Sequence, residues 1–238
     1  TDGTCVEHIM GGEQADVLIG NGGDNIFLGG LGNDQYNGNG GTTDIVYETR
    51  DADMVLTSTT LTIGSEVNQL TAIQGAYLVG GSGNNILDAT AFTGNAWLLG
   101  QGGNDTLYGG SGNDFLSGGD GEDVLRGNGG NDDLRGGKGN DLYIFDQSFN
   151  QGSDSIRENA GEGFADTLQG VGVSGIDVNL NPANLAEATQ PSASRAGTAS
   201  SPFSTWPVSA SHSPTCPGVR LRNQPPPTSG NRPMRVSG

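Results

Sequence analysis

Five consecutive nine-residue units run from Gly100 to Ile144 and carry the same residue types at the same positions. They read GQGGNDTLY, GGSGNDFLS, GGDGEDVLR, GNGGNDDLR and GGKGNDLYI. The first and fourth residues are always Gly, the sixth is always Asp, and the eighth is Leu or Tyr. A repeat of fixed length predicts a solenoid, in which each turn, carboxylate and apolar side chain stacks on its equivalents in neighbouring rungs.

Within each unit, the Gly-rich part predicts a sharp turn and the last three residues predict a very short strand with one inward side chain. The predicted inward residues are Leu107, Leu116, Leu125, Leu134 and Tyr143. One inward residue in nine gives a thin core, whereas ordering the backbone costs about 1–2 kcal/mol per residue. A further interaction must therefore hold the turns together.

The sixth-position carboxylates suggest what that interaction is, because stacked Asp side chains repel each other unless a cation lies between them. Calcium accepts about six to eight oxygen ligands, including carboxylates and backbone carbonyls. Zinc prefers His and Cys, and the five units contain neither. The candidate ligands are Asp105, Asp114, Asp123, Asp132 and Asp141, with the turn residues Gly102, Gly103, Gly112, Gly121, Gly130 and Gly139. The alternative is an Asp ladder that only hydrogen-bonds turn amides and holds no metal.

A less regular block precedes these units, at residues 11–46, and adds Asp16, Asn25 and Asp34 as candidate ligands. It departs from the pattern at Gln14, which stands where Gly is expected, and at Asp44, which follows one extra residue. An isolated unit at residues 80–88 adds Asn85. Because Asn offers a neutral oxygen, sites built on Asn should bind calcium more weakly than sites built on Asp.

The units resemble the G-G-x-G-x-D-x-U-x nonapeptide of RTX proteins, the hemolysin-type calcium-binding repeat. This resemblance implies a parallel β-roll in which each nonapeptide is half a turn and several calcium ions lie between turns two repeats apart. It implies the pairs Asp105 with Asp123, Asp114 with Asp132, and Asp123 with Asp141. It also implies type I export from a bacterium, and hence a secreted or cell-surface location.

The charge distribution agrees with such a module. The chain of 238 residues has 43 Gly and a net charge of −17. All 27 acidic residues and five of the ten basic ones lie in residues 1–189, which gives that part a charge of −22. This balance argues against nucleic acid as a partner and predicts that metal binding is coupled to folding.

The organisation we predict is an all-β parallel β-roll, or β-solenoid, with two nonapeptide-repeat blocks joined by longer β rungs and followed by a disordered C-terminal tail. The segments are an irregular end (1–10), the first block (11–46), metal-free β rungs (47–79), the second block with its closing segment (80–158), residual β structure (159–189) and the tail (190–238).

Apolar residues outside the repeats predict how the core continues. In residues 47–79 the predicted core residues are Met54, Leu56, Leu61, Ile63, Leu70, Ile73 and Leu78. We expect Phe92, Trp97 and Leu99 in the core of a further long rung. Tyr143 and Phe145 are candidates to cap the open end of the roll, and Asp154 and Asp166 are weaker candidates for further turns.

The tail from about Gln190 holds nine of the ten prolines and no acidic residue, which is typical of disorder. We consider two origins for it: a frameshift or gene-model error, and a genuine disordered tail. The GVGVSG stretch at Gly170–Gly175 formally matches a dinucleotide-binding motif, but IDVNLNP follows it in place of a helix, so the match is read as chance.

No catalytic motif is present in the sequence: there is no HExxH and no GxSxG. We therefore predict a binding module and no enzyme, with calcium as its cofactor, no membrane span, and a possible surface polysaccharide or upstream domain of the same protein as partner. Two functions remain open: a calcium-dependent folding and export module, and a calcium-shaped adhesive or carbohydrate-binding surface. Residues such as Tyr108, Arg126 and Arg135 would carry the second, and the roll could also be the accessory tail of an upstream secreted enzyme or toxin.

Overall fold

The computed structural model describes residues 8–146, 152–157 and 166–171, and the backbone alone of residues 7, 177–179, 203–208 and 219–222. The described residues form strands and turns, with no helix among them. The strands are β1 (Glu7–Met10), β2 (Val17–Ile19), β3 (Asn25–Leu28), β4 (Gln35–Asn37), β5 (Ile45–Thr49), β6 (Met54–Thr57), β7 (Thr60–Ile63), β8 (Glu66–Thr71), β9 (Gly75–Val79), β10 (Ile86–Ala91), β11 (Asn95–Gly102), β12 (Thr106–Tyr108), β13 (Phe115–Asp120), β14 (Val124–Arg126), β15 (Asp133–Lys138), β16 (Leu142–Asp146), β17 (Ser155–Ile156), β18 (Asp166–Val171), β19 (Asp177–Asn179), β20 (Phe203–Val208) and β21 (Val219–Arg222).

The strands form two sheets. The first sheet has the order β1-β3-β5-β9-β11-β13-β15-β17-β21-β19, and the second has β2-β4-β8-β7-β6-β10-β12-β14-β16-β18-β20. In the repeats, successive strands go to alternate sheets, and strands two units apart pair in parallel, as β12 does with β14 and β13 with β15. Each nonapeptide is therefore half a turn of a parallel β-roll, and the predicted fold is confirmed.

The core lies between the two sheets and is one side chain deep in the repeats. The eighth-position residues point inward and are fully buried, at 0% exposure for Leu107, Leu116, Leu125, Leu134 and Tyr143. Parallel register stacks them within each sheet, with Leu107 opposite Leu125 and Leu116 opposite Leu134. The inward positions predicted from the repeat are confirmed.

The segment 47–79 differs in topology from the longer parallel rungs that we predict. Strand β9 continues the first sheet beside β5, but β6, β7 and β8 form an antiparallel meander inside the second sheet. A two-residue turn with Gly64 at a φ of 57° joins β7 to β8, and such turns connect antiparallel strands. All seven predicted core residues of the segment are nevertheless buried: Met54, Leu56, Leu61, Ile63, Leu70, Ile73 and Leu78.

The prediction for the next rung is right for one of its three residues. Phe92 is buried, but Trp97 and Leu99 lie on the outer face of β11, whereas Ala96 and Leu98 fill the core. Because side chains alternate along a strand, a shift of one residue exchanges the two faces. Trp97 stands in register with Tyr77 and Phe115 on the outside of the first sheet.

The prediction that Tyr143 and Phe145 cap the open end of the roll is also wrong. Tyr143 and Phe145 are buried within the roll, because β16 pairs in parallel with β18 on its far side. The Tyr143 hydroxyl accepts a 2.5 Å hydrogen bond from the Gly136 amide, so the ring and its hydroxyl are both satisfied internally.

Both ends of the chain contribute strands where the sequence predicts irregular structure. Residues 7–10 form β1, and within the tail β20 pairs antiparallel with β18 while β21 pairs antiparallel with β17 and β19. An open sheet edge offers unpaired backbone groups to such strands, and Pro207 in β20 is compatible with the last strand of a sheet. The rest of the tail, and residues 172–175 of the GVGVSG match, lie outside the described residues.

Candidate calcium-binding turns

The turns that connect the two sheets stack along two edges of the roll. Turns that run from the first sheet to the second form the first edge and carry Asn85, Asp105, Asp123 and Asp141. Turns that run back form the second edge and carry Asp114, Asp132 and Asp154. All seven side chains are buried, with 4% exposure or less. The fixed repeat length thus places its acidic position in the interior of each turn.

One carboxylate oxygen of each Asp accepts a hydrogen bond from the equivalent residue two repeats earlier. The Asp105 amide donates to Asp123 Oδ1 at 2.7 Å, and the Asp123 amide donates to Asp141 Oδ1 at 2.9 Å. On the second edge, the Asp114 amide donates to Asp132 Oδ1 at 2.8 Å. The structure therefore brings together the three pairs that the resemblance implies.

Both ladders continue past the last repeat. The Asp132 amide donates to Asp154 Oδ1 at 3.1 Å, and the Asp141 amide donates to Asp166 Oδ1 at 3.0 Å. Asp154 and Asp166 are buried like the repeat residues. The two residues that the sequence ranks as weaker candidates therefore occupy the same structural position as the stronger ones.

The second carboxylate oxygen is different. Among the described residues, Oδ2 of Asp105, Asp123, Asp132 and Asp141 is buried without a hydrogen-bond partner. A buried polar group left unsatisfied costs about 1–3 kcal/mol, and more when it is charged. An interaction with a cation would remove that cost.

Burial also perturbs the acidity of these groups. Burial raises the pKa of Asp132 from 3.8 to about 8, against the lowering effect of the Asp114 amide, and the Asp154 carboxylate raises it further. Burial likewise raises the pKa of Asp141 to about 7, and that of Asp114 and Asp123 to about 6. Stacked carboxylates in these turns are thus costly to ionise unless a positive charge accompanies them.

The first-position glycines leave open the space into which the oxygens point. Asp114 Oδ2 and the Gly127 carbonyl oxygen lie 2.6 and 2.5 Å from the point that a Cβ on Gly109 would occupy. At Gly100, the same point is close to Asp105 Oδ2 and 2.6 Å from the Gly118 carbonyl oxygen. We call the oxygen-lined space around this point the glycine cradle of the turn. Because the atoms that meet there carry negative or partial negative charge, the cradle suits a cation.

The fourth-position glycines allow the turns to stack closely. A Cβ on Gly121 would overlap the Gly103 carbonyl oxygen, and a Cβ on Gly139 would overlap the Gly121 carbonyl oxygen. Overlaps of the same kind would occur at Gly103, Gly112 and Gly130. Gly102 differs, because a Cβ there would have space, and its amide donates to the Gly81 carbonyl at 3.0 Å.

The donor set fits calcium. Within the described part of the chain no three acidic, His or Cys side chains converge on one point, so an ion would draw on the carboxylates in pairs and on turn carbonyls. Calcium accepts this mixture of oxygen ligands, whereas zinc sites in proteins are built mainly from nitrogen and sulfur ligands. The residues that would hold it are the sixth-position Asp side chains and the carbonyls around the glycine cradles.

The first block follows the same plan with more neutral groups. The Asp16 amide donates to Asp34 Oδ1 at 2.9 Å, and the Asn25 amide donates to Asp44 Oδ1 at 2.9 Å. Asp44 is fully buried despite the extra residue before it, and its Oδ2 also lacks a partner among the described residues. Gln14 is exposed and takes no part in the ladder.

Two neutral residues continue these ladders into the segment 47–79. Asn68 Oδ1 accepts from the Asp34 amide at 2.8 Å, and Gln74 Oε1 accepts from the Asp44 amide at 2.7 Å. Neither residue lies in a nonapeptide, so the repeat pattern does not predict them. They keep the hydrogen bond of the ladder and omit the charge.

A second ladder runs beside the first at the fifth position of the repeats. The Asn113 amide donates to Asn95 Oδ1 at 2.9 Å, and the Asn131 amide donates to Asn113 Oδ1 at 2.8 Å. The Glu122 amide donates to Asn104 Oδ1 at 3.0 Å. The signal was available in the sequence, since four of the five units have Asn at this position.

The surface residues considered for glycan binding contact other side chains of the roll. The Arg126 guanidinium lies 4.8 Å from the centre of the Tyr108 ring, and the Arg135 guanidinium lies 4.7 Å from the centre of the Phe115 ring. Arg135 also pairs with Asp133 at 3.1 Å. These contacts join neighbouring strands on the outer faces of the two sheets.

Comparison with known proteins agrees with this geometry. A family model described as "RTX calcium-binding nonapeptide repeat (4 copies)" matches residues 7–43, 90–125 and 108–143. No curated protein matches the chain. Among the described residues, no helix has the length and apolar character needed to cross a membrane.

Proposed function

We propose that this chain, in which residues 7–43 and 90–143 are RTX calcium-binding repeats, is a calcium-folded module of a secreted or cell-surface protein. The observation that supports this most directly is the set of buried Oδ2 atoms that have no partner among the described residues and lie beside the glycine cradles of the stacked turns. A bound calcium ion would supply positive charge between turns and allow their carboxylates to stay ionised.

The carboxylates of the stacked turns and the net charge of the chain explain why folding would depend on that ion. Oδ1 of Asp123 fixes the preceding turn through the Asp105 amide, and among the described residues the Oδ2 atoms of Asp105, Asp123, Asp132 and Asp141 remain available for an ion. Without the ion, a body with a charge of −22 repels itself and has only a thin core to oppose that repulsion. Metal binding and folding are then one process, and the free energy of binding becomes folding stability.

This coupling suits export. Sites with dissociation constants of roughly 10⁻⁴–10⁻³ M are typical of extracellular calcium modules. Such sites would be empty in the cytosol, so the chain would remain unfolded for passage and would fold outside the cell. The resemblance to RTX proteins supports this location, and we assign the chain a binding role with no catalysis.

The test is a calcium titration of the full chain followed by far-UV circular dichroism, with magnesium as the control and equilibrium dialysis to count bound ions. We expect a transition from coil to β structure with calcium alone. A complete β signal in chelator, with no calcium retained in dialysis, would show that the Asp ladder is a hydrogen-bonded structure without metal, and the proposal would fail.

A further inference from the structure

At the second position of the repeat, one of the five units has a non-glycine residue with a buried side chain. Gly110, Gly119 and Gly137 occupy this position in three units, whereas Gln101 and Asn128 occupy it in the other two. Both non-glycine residues have a left-handed backbone, with φ of 84° and 67°. Gln101 is exposed, but the Asn128 side chain is 1% exposed and points into the turn.

The amide of Asn128 is only half satisfied. Its Nδ2 donates to the Gly109 carbonyl oxygen at 2.5 Å, while within the described residues its Oδ1 is buried without a partner. Burying an unpaired amide oxygen carries a desolvation cost. A left-handed Asn is also less favourable than the Gly found in the other units. Two unfavourable features at one residue suggest that the side chain has a role outside the hydrogen-bonded ladder.

The position of the amide indicates that role. Asn128 contacts Gly109, whose glycine cradle holds Asp114 Oδ2 and the Gly127 carbonyl oxygen. Asp132, from the same turn as Asn128, has its Oδ2 buried and without a partner in the described structure. The Asn128 amide therefore borders the space between the turns 109–114 and 127–132, where the oxygens of the second edge accumulate. A half-turn about its last side-chain bond exchanges the donor and the acceptor.

We infer that Asn128 Oδ1 is a side-chain ligand of the calcium ion held between these two turns. This inference rests on the proposed function and adds to the repeat motif a ligand that the motif does not contain. In the bound state, Oδ1 and the Gly109 carbonyl face the same cation, which removes the unsatisfied oxygen. The site gains one neutral oxygen over the equivalent sites at Gly119 and Gly137, so it fills at lower calcium concentration.

The experiment compares Asn128→Gly and Asn128→Asp in the full chain by isothermal titration with calcium and by counting ions in equilibrium dialysis. Asn128→Gly removes the side chain and keeps a residue that tolerates the left-handed backbone. We expect it to weaken calcium binding at one site by roughly tenfold, since calcium affinity depends on the ligand set. Asn128→Asp cannot donate to the Gly109 carbonyl but offers a stronger ligand, so we expect calcium affinity at or above that of the unmodified chain. Gln101→Gly is the matched control, because it changes an exposed residue at the same repeat position, and it should leave binding unchanged.

Three results would overturn the inference. If Asn128 acts only as a hydrogen-bond donor, Asn128→Asp will lose as much calcium affinity as Asn128→Gly, because both lack the donor and the lost folding stability weakens binding equally. If its amide takes the place of an ion, Asn128→Gly will bind one ion more. If the unmodified chain binds calcium and Asn128→Gly binds it identically, the inference fails while the proposed function stands. An unmodified chain that binds no calcium would instead remove the proposed function, and this inference with it.

Discussion

The repeat block from Gly100 to Ile144 and the meander of β6, β7 and β8 both contribute strands to the second sheet, yet different interactions stabilise them. Strand β6 buries two apolar side chains, Met54 and Leu56, and β7 buries Leu61 and Ile63. Each strand of three residues in the block buries one, as β12 and β14 do. The meander compensates for the entropy of folding with apolar area, whereas the block has little such area and stacks carboxylates.

The ladder shows the same contrast at a single position. Asn68 in β8 and Asp123 in the block both accept a hydrogen bond from a buried amide of the preceding rung. Asn68 brings no charge, while Asp123 carries a second oxygen without a partner in the described structure. The two residues separate the structural part of the ladder from the part that calls for a cation.

A fixed cation lies where the meander meets the first block. The Arg50 guanidinium pairs with Glu48 at 3.0 Å and with Glu66 at 3.5 Å, and it also donates to the Gly30 carbonyl. Burial raises the pKa of Glu48, and Arg50 lowers it. Here the chain supplies its own positive charge to carboxylates and a turn carbonyl, which the block leaves to an ion from solution.

The largest expected effects come from two substitutions that break the ladder, one in the repeat block and one in the meander. Asp123→Ala removes the acceptor of the Asp105 amide and an Oδ2 that has no partner in the described part of the chain. The calcium concentration at the folding midpoint should therefore rise about tenfold or more, as about 1.4 kcal/mol already gives a factor of ten. Asn68→Ala removes only the acceptor of the Asp34 amide and should cost about 1–3 kcal/mol at any calcium concentration. Calcium titration by circular dichroism and urea unfolding in saturating calcium measure the two effects.

Asp120→Ala is the matched control for charge. Asp120 belongs to the same repeat as Asp123, but its side chain is 67% exposed and pairs with Lys138 on the surface. Its removal should shift the midpoint little, because exposed pairs contribute little. Equal midpoints for Asp123→Ala and Asp120→Ala would show that net charge, and not the ladder, sets the calcium dependence.

The next effect is a pH dependence that the block should impose on the metal-free chain. The pKa values of Asp114, Asp123, Asp141 and Asp132 rise from 3.8 to between about 6 and about 8 on folding. Between pH 3.8 and about pH 8 the folded state therefore binds more protons than the unfolded state. The free energy of unfolding must then fall as pH rises. In chelator, β structure should be most stable below pH 3.8 and should be lost as pH rises through 6 to 8. Circular dichroism across this range measures it.

Asp132→Asn provides the control for this dependence, since it removes the carboxyl whose pKa is raised to about 8 and keeps an oxygen for the Asp114 amide. We expect the variant to retain more β structure in chelator near pH 7 than the unmodified chain. With calcium present, the pH dependence of the unmodified chain should reverse. Its β structure should become more stable as pH rises, because protons compete with the ion for the carboxylates. A metal-free chain whose β signal grows with pH would contradict the assigned burial of these groups.

The period of the repeat predicts the fold and the ladder because every unit makes the same local contacts. From Gly100 to Ile144 the inward Leu residues and the stacked Asp residues follow directly from residue number. Prediction fails where a contact depends on a partner far along the chain. Asn68 joins the ladder only because β8 lies beside β4, and the meander itself depends on the turn at Gly64.

The errors at Trp97 and Leu99 have another cause. Large apolar side chains suggested the core, but a strand that continues a roll must keep the register of its neighbours, and β9 and β13 place Leu98 inward. Burial in a solenoid follows register more than side-chain hydrophobicity. The same reasoning explains Asp154 and Asp166, which lie in no nonapeptide but stand at the start of strands that continue the sheets.

The smallest expected effect comes from adding a negative charge to the turn at Gly80, where Asn85 is neutral. Asn85 Oδ1 and the Gly100 carbonyl oxygen lie 2.5 and 2.6 Å from the cradle point of Gly80, and Asn85 Nδ2 donates to Asp51 Oδ1 at 3.2 Å. Asn85→Asp should lower the calcium midpoint a few-fold, because a carboxylate replaces an amide oxygen already in place. It should also destabilise the metal-free chain, because the new charge faces Asp51.

Asn84→Asp is the control that decides what such a shift means. Asn84 is the exposed neighbour of Asn85, and its Oδ1 accepts from the Asn104 amide at 2.8 Å, a bond that a carboxylate can also accept. The two variants carry the same added charge and differ in whether it enters the turn. If calcium titrations of both give the same midpoint, the turn at Gly80 holds no ion, and neutral oxygens there serve the ladder alone, as Asn68 does in the meander. If only Asn85→Asp responds, the position of the oxygen in the turn governs the affinity, and the neutral side chains of the first block mark its weaker sites.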